Sequence, residues 1–416
     1  MAQRPWNGDG DTAVDRLARQ VASEMGGRAG FSRRSFLRAS GMSAFALTSG
    51  GLLVACGTEG TKQSADTCKS TDRSDTEKQL HFSNWTFYLD ENDSGKKYPT
   101  LEDFQKSTGI KVNYTTDING NNEFFAKVRN QLGACESIER DIIVLTDWMA
   151  GRLIDLGWVQ ELDEANIPNV TANLQDSLRE PPWDPGRKYS IPWQSGLTAI
   201  AYNAKYTGEI SSFEELVTRP DLKGKIALLN EMGDTMSFVL KLVGADPGDF
   251  SDDEWAAALD RMEEIVASGQ VRQFTGNDYV RPLNNGDIVA CEAWSGDIIA
   301  MQYDNTDIKF VTPSEGMVLW SDNMMVPNKS EHKKNAETLM NYYYDPEVAA
   351  RLAAWVNYIC PVKGAEEAMA KIDDSLVGNP LIFPTAEDLS STFGFKLVDT
   401  KTREQYEKDF NRVIGA

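Results

Sequence analysis

Histidine is nearly missing from this 416-residue chain, with His81 and His332 the only two. A histidine-based metal centre or a nucleophile–histidine–acid triad has almost nothing to draw on. One stands at the start of the folded part and the other in a Lys-rich helical stretch, so surface placement is expected for both. Positive charge is also short, 42 Lys and Arg against 63 Asp and Glu, for a net charge of −21. Such a surface repels nucleic acid and anionic headgroups and draws in cations. No glycine-rich phosphate loop occurs, and no motif of any catalytic class, so the expectation is a protein that is not an enzyme and uses no cofactor or metal. After residue 55 no stretch is apolar enough to span a bilayer core of about 30 Å. Besides Cys56 there are only four cysteines, Cys68, Cys135, Cys291 and Cys360. They match no metal spacing and allow up to two disulfides, in any of three pairings, or separate buried thiols.

What is present begins with an address. Ser32-Arg33-Arg34-Ser35-Phe36-Leu37-Arg38 precedes a mildly apolar run over 39–55, which ends at Leu53-Val54-Ala55-Cys56. This reads as a twin-arginine export signal fused to a lipoprotein cleavage box, with Cys56 as the lipidated first residue of the mature chain. The competing reading, a membrane anchor, suffers from a run of only 17 residues rich in Gly, Ser and Ala. The expected location is the outer face of the cytoplasmic membrane, with lipid as the sole membrane contact. Residues 1–55 carry seven Arg and four acids, a net of +3, which leaves −24 on the remainder. Residues 56–79 are polar and nearly free of apolar side chains, so they read as a tether.

From residue 80 onward, short apolar strands alternate with amphipathic helices. Strands are expected over 80–85, 110–115, 141–146, 225–229 and 287–293. Helices are expected from Thr100 to the stop at Gly109, over 122–132, after the capping boxes at Ser212 and Ser251, and over 335–356 with a break at Pro346. Alternation of this kind argues an α/β fold with mainly parallel sheets. Ligands of such folds sit at the carboxyl ends of strands. Those ends here read Asn84-Trp85-Thr86-Phe87-Tyr88, Thr146-Asp147-Trp148, Asn230-Glu231-Met232-Gly233-Asp234 and Ala293-Trp294-Ser295-Gly296-Asp297, followed by Glu315-Gly316-Met317-Val318-Leu319-Trp320-Ser321-Asp322. Aromatics and carboxylates recur without His or Lys. That chemistry suits a slender organic polycation: aromatic faces line the methylenes, and carboxylates take the ammonium groups.

The sequence from about residue 80 to 416 resembles the spermidine/putrescine-binding components of ABC transporters, within the bacterial extracellular solute-binding proteins. The resemblance rests on Asn84-Trp85-Thr86 with Tyr88, Thr108-Gly109-Ile110-Lys111-Val112 and Asp141-Ile142-Ile143-Val144. It continues through Ser190-Ile191-Pro192-Trp193, Ala199-Ile200-Ala201-Tyr202-Asn203, Trp294-Ser295-Gly296-Asp297 and Trp320-Ser321-Asp322, to Tyr358 ahead of Cys360-Pro361. It implies a two-lobed, type II periplasmic-binding-protein-like fold with the ligand cleft between lobes. The first lobe would hold 80–190 and 308–352, the second 191–307 and 353–416. It further implies an aromatic box of Trp85, Tyr88, Trp294 and Trp320 and acidic positions at Glu231, Asp234 and Asp322. Asp297 matches an acid of the putrescine-binding branch. Thr146 and Trp148 stand where relatives often have Ser and Tyr, and Tyr358 would line the cleft. One wall would supply Trp85, Trp148 and Asp322, the other Glu231, Asp234, Trp294 and Asp297. Asp147, an added acid, either binds a further amine or, as expected, faces solvent, and 391–395 offers no equivalent of a polar contact found in relatives. The implied protein is a monomer that captures a polyamine and delivers it to ABC permease subunits. The alternative is a receptor for another small organic cation or for a neutral solute such as a sugar.

Overall fold

A computed structural model describes residues 68–92 and 97–415. The twin-arginine segment, the apolar run, Cys56 and the first part of the tether lie outside these described residues. Ten strands form one curled sheet: β1 (Gln79–Trp85), β2 (Lys111–Ile118), β3 (Ile142–Thr146), β4 (Ser190–Asn203), β5 (Ile226–Leu229), β6 (Val271–Thr275), β7 (Ala290–Trp294), β8 (Ile308–Val311), β9 (Met317–Met325) and β10 (Thr392–Phe393). The order is β2-β1-β3-β9-β4-β7-β5-β6, with β8 on β4 and β10 on β9. At each end the strands are parallel, β1 between β2 and β3, and β5 between β6 and β7. In the middle β4 and β9 run antiparallel to each other and join the two parallel halves. The result is the two-lobed α/β architecture, with β4 and β9 as the crossing strands.

Period-two side-chain alternation explains why each half is buried on both faces. In β3, Ile142 and Val144 enter one core while Ile143 and Leu145 enter the opposite one. In β5, Ile226 and Leu228 face one core and Ala227 and Leu229 the other. Helices close each face. Pro99 opens the helix Pro99–Thr108 and Gly109, at φ 73°, closes it. Thr100 does not cap this helix as expected; its backbone N–H and hydroxyl both donate to Asp90. Ser251 and Glu254 form a complete capping box. The expected break at Pro346 separates helices Lys333–Tyr343 and Pro346–Val356, with the Asp345 side chain capping the second.

Several expectations change. The polar stretch is not a tether up to residue 79, because 68–79 is docked on the body. Cys68 forms a disulfide with Cys135, and Ser74 is buried and accepts from the backbone of Asn335 at 3.0 Å. Cys291 and Cys360 are separate buried thiols, so both possibilities for the cysteines occur in one chain. His332 is buried rather than on the surface, its Nδ1 3.2 Å from Asp141 and its Nε2 3.1 Å from Glu77. Packing also divides the chain differently. β8 lies on the second-lobe half of β4, and residues from Ala353 to Ile382 enter the first-lobe core. The C-terminal helix Thr400–Ile414 packs into the second-lobe core through Tyr406 and Phe410.

Candidate functional site

The crossing strands set the floor of a cleft. β9 pairs with β4 from Thr198↔Val318 to Ser190↔Met325, and with β3 from Thr146↔Asp322 to Ile143↔Met325. Asp322 therefore leaves β9 where the lobes meet, beside Thr146 of the first-lobe strand β3. Above it lies a cavity of about 410 Å³ between the ends of β1, β3, β5 and β7. All eleven side chains singled out from the sequence line it.

Asp322, Asp234 and Asp297 each accept hydrogen bonds from neutral groups. Thr146 donates to Asp322 at 2.7 Å and is itself held by Asn121. Thr198 donates to Asp234 at 2.7 Å, and the Trp320 indole N–H donates to Thr198 at 3.0 Å. Asp297 accepts from Asn277 at 2.8 Å and Tyr279 at 2.6 Å, with the Tyr358 hydroxyl at 3.5 Å. Asp234 and Asp297 stand in the first turns of helices Met232–Leu242 and Ser295–Gln302, where the helix dipole favours negative charge. Burial outweighs that help. It pushes Asp234 and Asp297 up to about 6 against the donors just named. Asp322 rises to about 7 through burial, opposed by Thr146 and reinforced by Asp147 and Asp234. Glu231 rises to about 8, again mainly through burial, with Asp234 adding repulsion. Beneath them Glu292, fully buried on β7, rises to about 8 for the same chief reason. The cleft is thus a set of carboxylates whose negative charge is under-compensated by the protein.

Aromatic side chains are fixed around these acids. The Trp85 indole donates to the Val144 carbonyl at 2.9 Å. Tyr358 packs edge-on against Tyr88, ring centroids 5.3 Å apart, and lies 5.5 Å from Trp320. Two glycines make room for them. A Cβ on Gly196 would stand 2.3 Å from the Trp320 ring, and one on Gly296 2.4 Å from that of Tyr358. The Tyr88 hydroxyl is buried beside Asp322, and burial together with that carboxylate holds it well above the ordinary tyrosine range.

One expectation fails here. Asp147 does not face solvent: it lines the cavity, accepts from Asn323 at 2.8 Å, and burial pushes it up to about 6. Trp148 lines the cavity, but one face of its ring is already taken by the Arg403 guanidinium, 3.8 Å above it. Sequence reasoning missed Arg403, Asn121, Thr198, Asn277 and Tyr279. The last two stand in a polar segment ahead of the helix Val280–Asn285, and nothing in its pattern separates them from an ordinary loop. Gly394 and Phe395, in the segment left unassigned, also line the cleft.

Residues 100–379 match the bacterial extracellular solute-binding protein family. The chain belongs to that family. Among extracellular solute-binding proteins it is similar to the spermidine/putrescine-binding periplasmic protein of Escherichia coli, with 25% identity over 324 residues, 77% of this chain and 88% of the relative. The putrescine-binding periplasmic protein of the same organism is 27% identical over 345 residues, 78% and 88% of the two chains. Solved structures of the fold include the TpPotD lipoprotein of Treponema pallidum, at 19% identity and TM-score 0.68, covering 81% of this chain and all of that one. The spermidine/putrescine transporter substrate-binding protein of Streptococcus pneumoniae, at 21% identity and TM-score 0.66, covers 80% and 98%.

Proposed function

We propose that this protein is an extracytoplasmic receptor that captures polyamines in the interlobe cleft and passes them to an ABC permease. One observation carries the reading: aromatic rings and under-compensated carboxylates converge on one cleft. Burying carboxylates without counter-ions is costly, and a ligand that brings ammonium groups removes that cost while its methylenes cover the rings. Asp297 and Asp322 receive the ammonium groups, and Trp85, Tyr88, Trp294, Trp320 and Tyr358 enclose the chain between them. The names of the relatives support the same ligand class. A neutral sugar would use the rings but leave the acids uncompensated.

Ligand touching both lobes stabilises the closed form, which is the form a permease would select. The disulfide between Cys68 and Cys135 supports an oxidising, exported location. With it goes the reading of residues 1–55 as a twin-arginine lipoprotein signal and of Cys56 as the lipid anchor of a monomer. Calorimetry of the purified protein with putrescine, spermidine, spermine and agmatine tests the ligand class. Silence toward every amine alongside binding of a neutral sugar would overturn it. Mass spectrometry of the membrane-bound form tests the anchor, which requires a lipid-modified Cys56 as N-terminal residue.

A further inference from the structure

The C-terminal helix places a cation inside the cleft. Arg403 is only 5% exposed and lines the cavity, with its guanidinium sandwiched between the Trp148 ring at 3.8 Å and Phe395 at 5.3 Å. Its Nε donates to Glu407 at 3.0 Å, which fixes the side chain along its own helix. Its Nη2 has no hydrogen-bond partner among the described residues and lies beside Gly233, between Glu231 and Asp234 in sequence. The next residue, Glu404, forms an ion pair with Arg152, one turn beyond Trp148 on the helix Asp147–Asp155. Two consecutive residues of one helix thus hold the opposite lobe and leave the guanidinium little freedom.

A charge count over five of the acids that line the cleft, Asp147, Glu231, Asp234, Asp297 and Asp322, then separates them into two groups. Glu231 and Asp234 share the field of Arg403 with its ion-pair partner Glu407, and Asp147 lies in that of Arg187. Asp297 and Asp322 have only hydroxyl and amide donors in hydrogen-bond contact. Two acids therefore lack an internal cation. An ammonium brought to the Glu231 end would meet a fixed like charge, and an unpaired N–H donor where it needs an acceptor.

We propose that Arg403 is a specificity residue that reserves the Glu231 end of the cleft, so that the protein selects a diamine over triamines and tetramines. The inference rests on the polyamine reading given above and adds the number of ammonium groups the site accepts. Like-charge juxtaposition excludes the longer ligands, and exclusion of this kind discriminates as effectively as added attraction.

The test is calorimetry of wild type and Arg403→Met with putrescine and spermidine. Methionine keeps an apolar body over Trp148 and removes the charge. Wild type is expected to bind putrescine about 10-fold or more tighter than spermidine, and the variant to shrink that ratio by a similar factor. A variant with native circular dichroism and an unchanged ratio overturns the inference, and so does a wild type that prefers spermidine. That second comparison needs no variant and decides the matter if Arg403→Met does not fold. Absence of binding to every amine by both proteins would instead overturn the polyamine reading, and the inference with it.

Discussion

The two ends of the cleft are built alike and charged differently. Each has an acid in the first turn of a helix that follows a parallel strand, Asp234 after β5 and Asp297 after β7. Each acid accepts a hydroxyl hydrogen bond and is pushed up by burial to about 6. At the Asp297 end the surrounding donors are neutral, whereas the Asp234 end shares its space with Glu231 and the guanidinium of Arg403. Local backbone design therefore does not decide what a strand end binds. A side chain delivered from a distant helix does.

Carboxylate removal offers the sharpest way to break this comparison. Asp297→Asn and Asp322→Asn should each weaken amine binding by about 10-fold or more, since each removes a charge-assisted partner in a buried site. Glu231→Gln should cost less than about 3-fold, because Arg403 faces this end of the cleft and keeps the ligand's ammonium groups from it. Equal losses in all three, read by calorimetry, would mean that the two ends are equivalent.

Acidification should act on both ends at once. A cationic ligand needs the charged carboxylates that receive it, so affinity falls mainly as pH drops through the range of about 7 to about 6 set by Asp322 and Asp297. Stability of the ligand-free protein carries the opposite sign. Glu231, Asp322, Asp234 and Asp297 hold protons more tightly when folded than when unfolded, so their unfavourable contribution is relieved as pH falls from about 8 toward the ordinary carboxylate range near 4. Thermal melts at pH 8 and pH 6 should accordingly show a smaller putrescine-induced rise at pH 6. A ligand-induced rise that grows at pH 6 would contradict the raised carboxylates.

Gly296→Ala tests the neutral end sterically. The added methyl meets the Tyr358 ring, and overpacking of this kind costs about 1–3 kcal/mol, with Tyr358 moved away from Asp297. A lowered Tm with weakened putrescine binding is expected, and a crystal structure with Tyr358 unmoved would refute the account. The smallest effect belongs to the charged end. Arg152→Met removes the ion pair to Glu404 and should lower stability by about 1 kcal/mol, as a partly exposed pair does. No change in the denaturant midpoint would mean that the pair contributes nothing.

Much of the site was legible because its residues are short-range neighbours of strand ends. Trp85, Thr146, Glu231 and Trp294 each follow an apolar run whose pattern marks it as a strand, so the cavity's rim follows from local sequence. The floor was less legible. All fourteen residues of β4 are buried, including Gln194, Ser195 and Thr198, so neither alternation nor a clean apolar run marks it as a strand. Ser195 is satisfied across the crossing by a 2.7 Å bond with Ser321, and Thr198 by donating to Asp234 at 2.7 Å. Arg403 was invisible for a different reason. It stands in Asp399-Thr400-Lys401-Thr402-Arg403-Glu404, where a charged residue near a helix start normally meets solvent. Its burial depends on Trp148, some 250 positions earlier in the chain. The disulfide could not be chosen among the possible pairings, because spacing says nothing about which lobe each thiol enters.

The strand exchange in the middle of the sheet has a consequence for how this protein is made. β9 begins beside β10 in one lobe and ends beside β3 in the other, while the chain of the first lobe is completed by residues up to Ile382. Neither lobe can finish its core until most of the chain is available, so the first half, once synthesised, must wait with its central edge unpaired. Such non-local pairing predicts slow folding and a single cooperative melting transition rather than two. A protein assembled in this manner reaches its native state late and as a whole, and fragments cut at residue 203 or 316 should remain unfolded when separated.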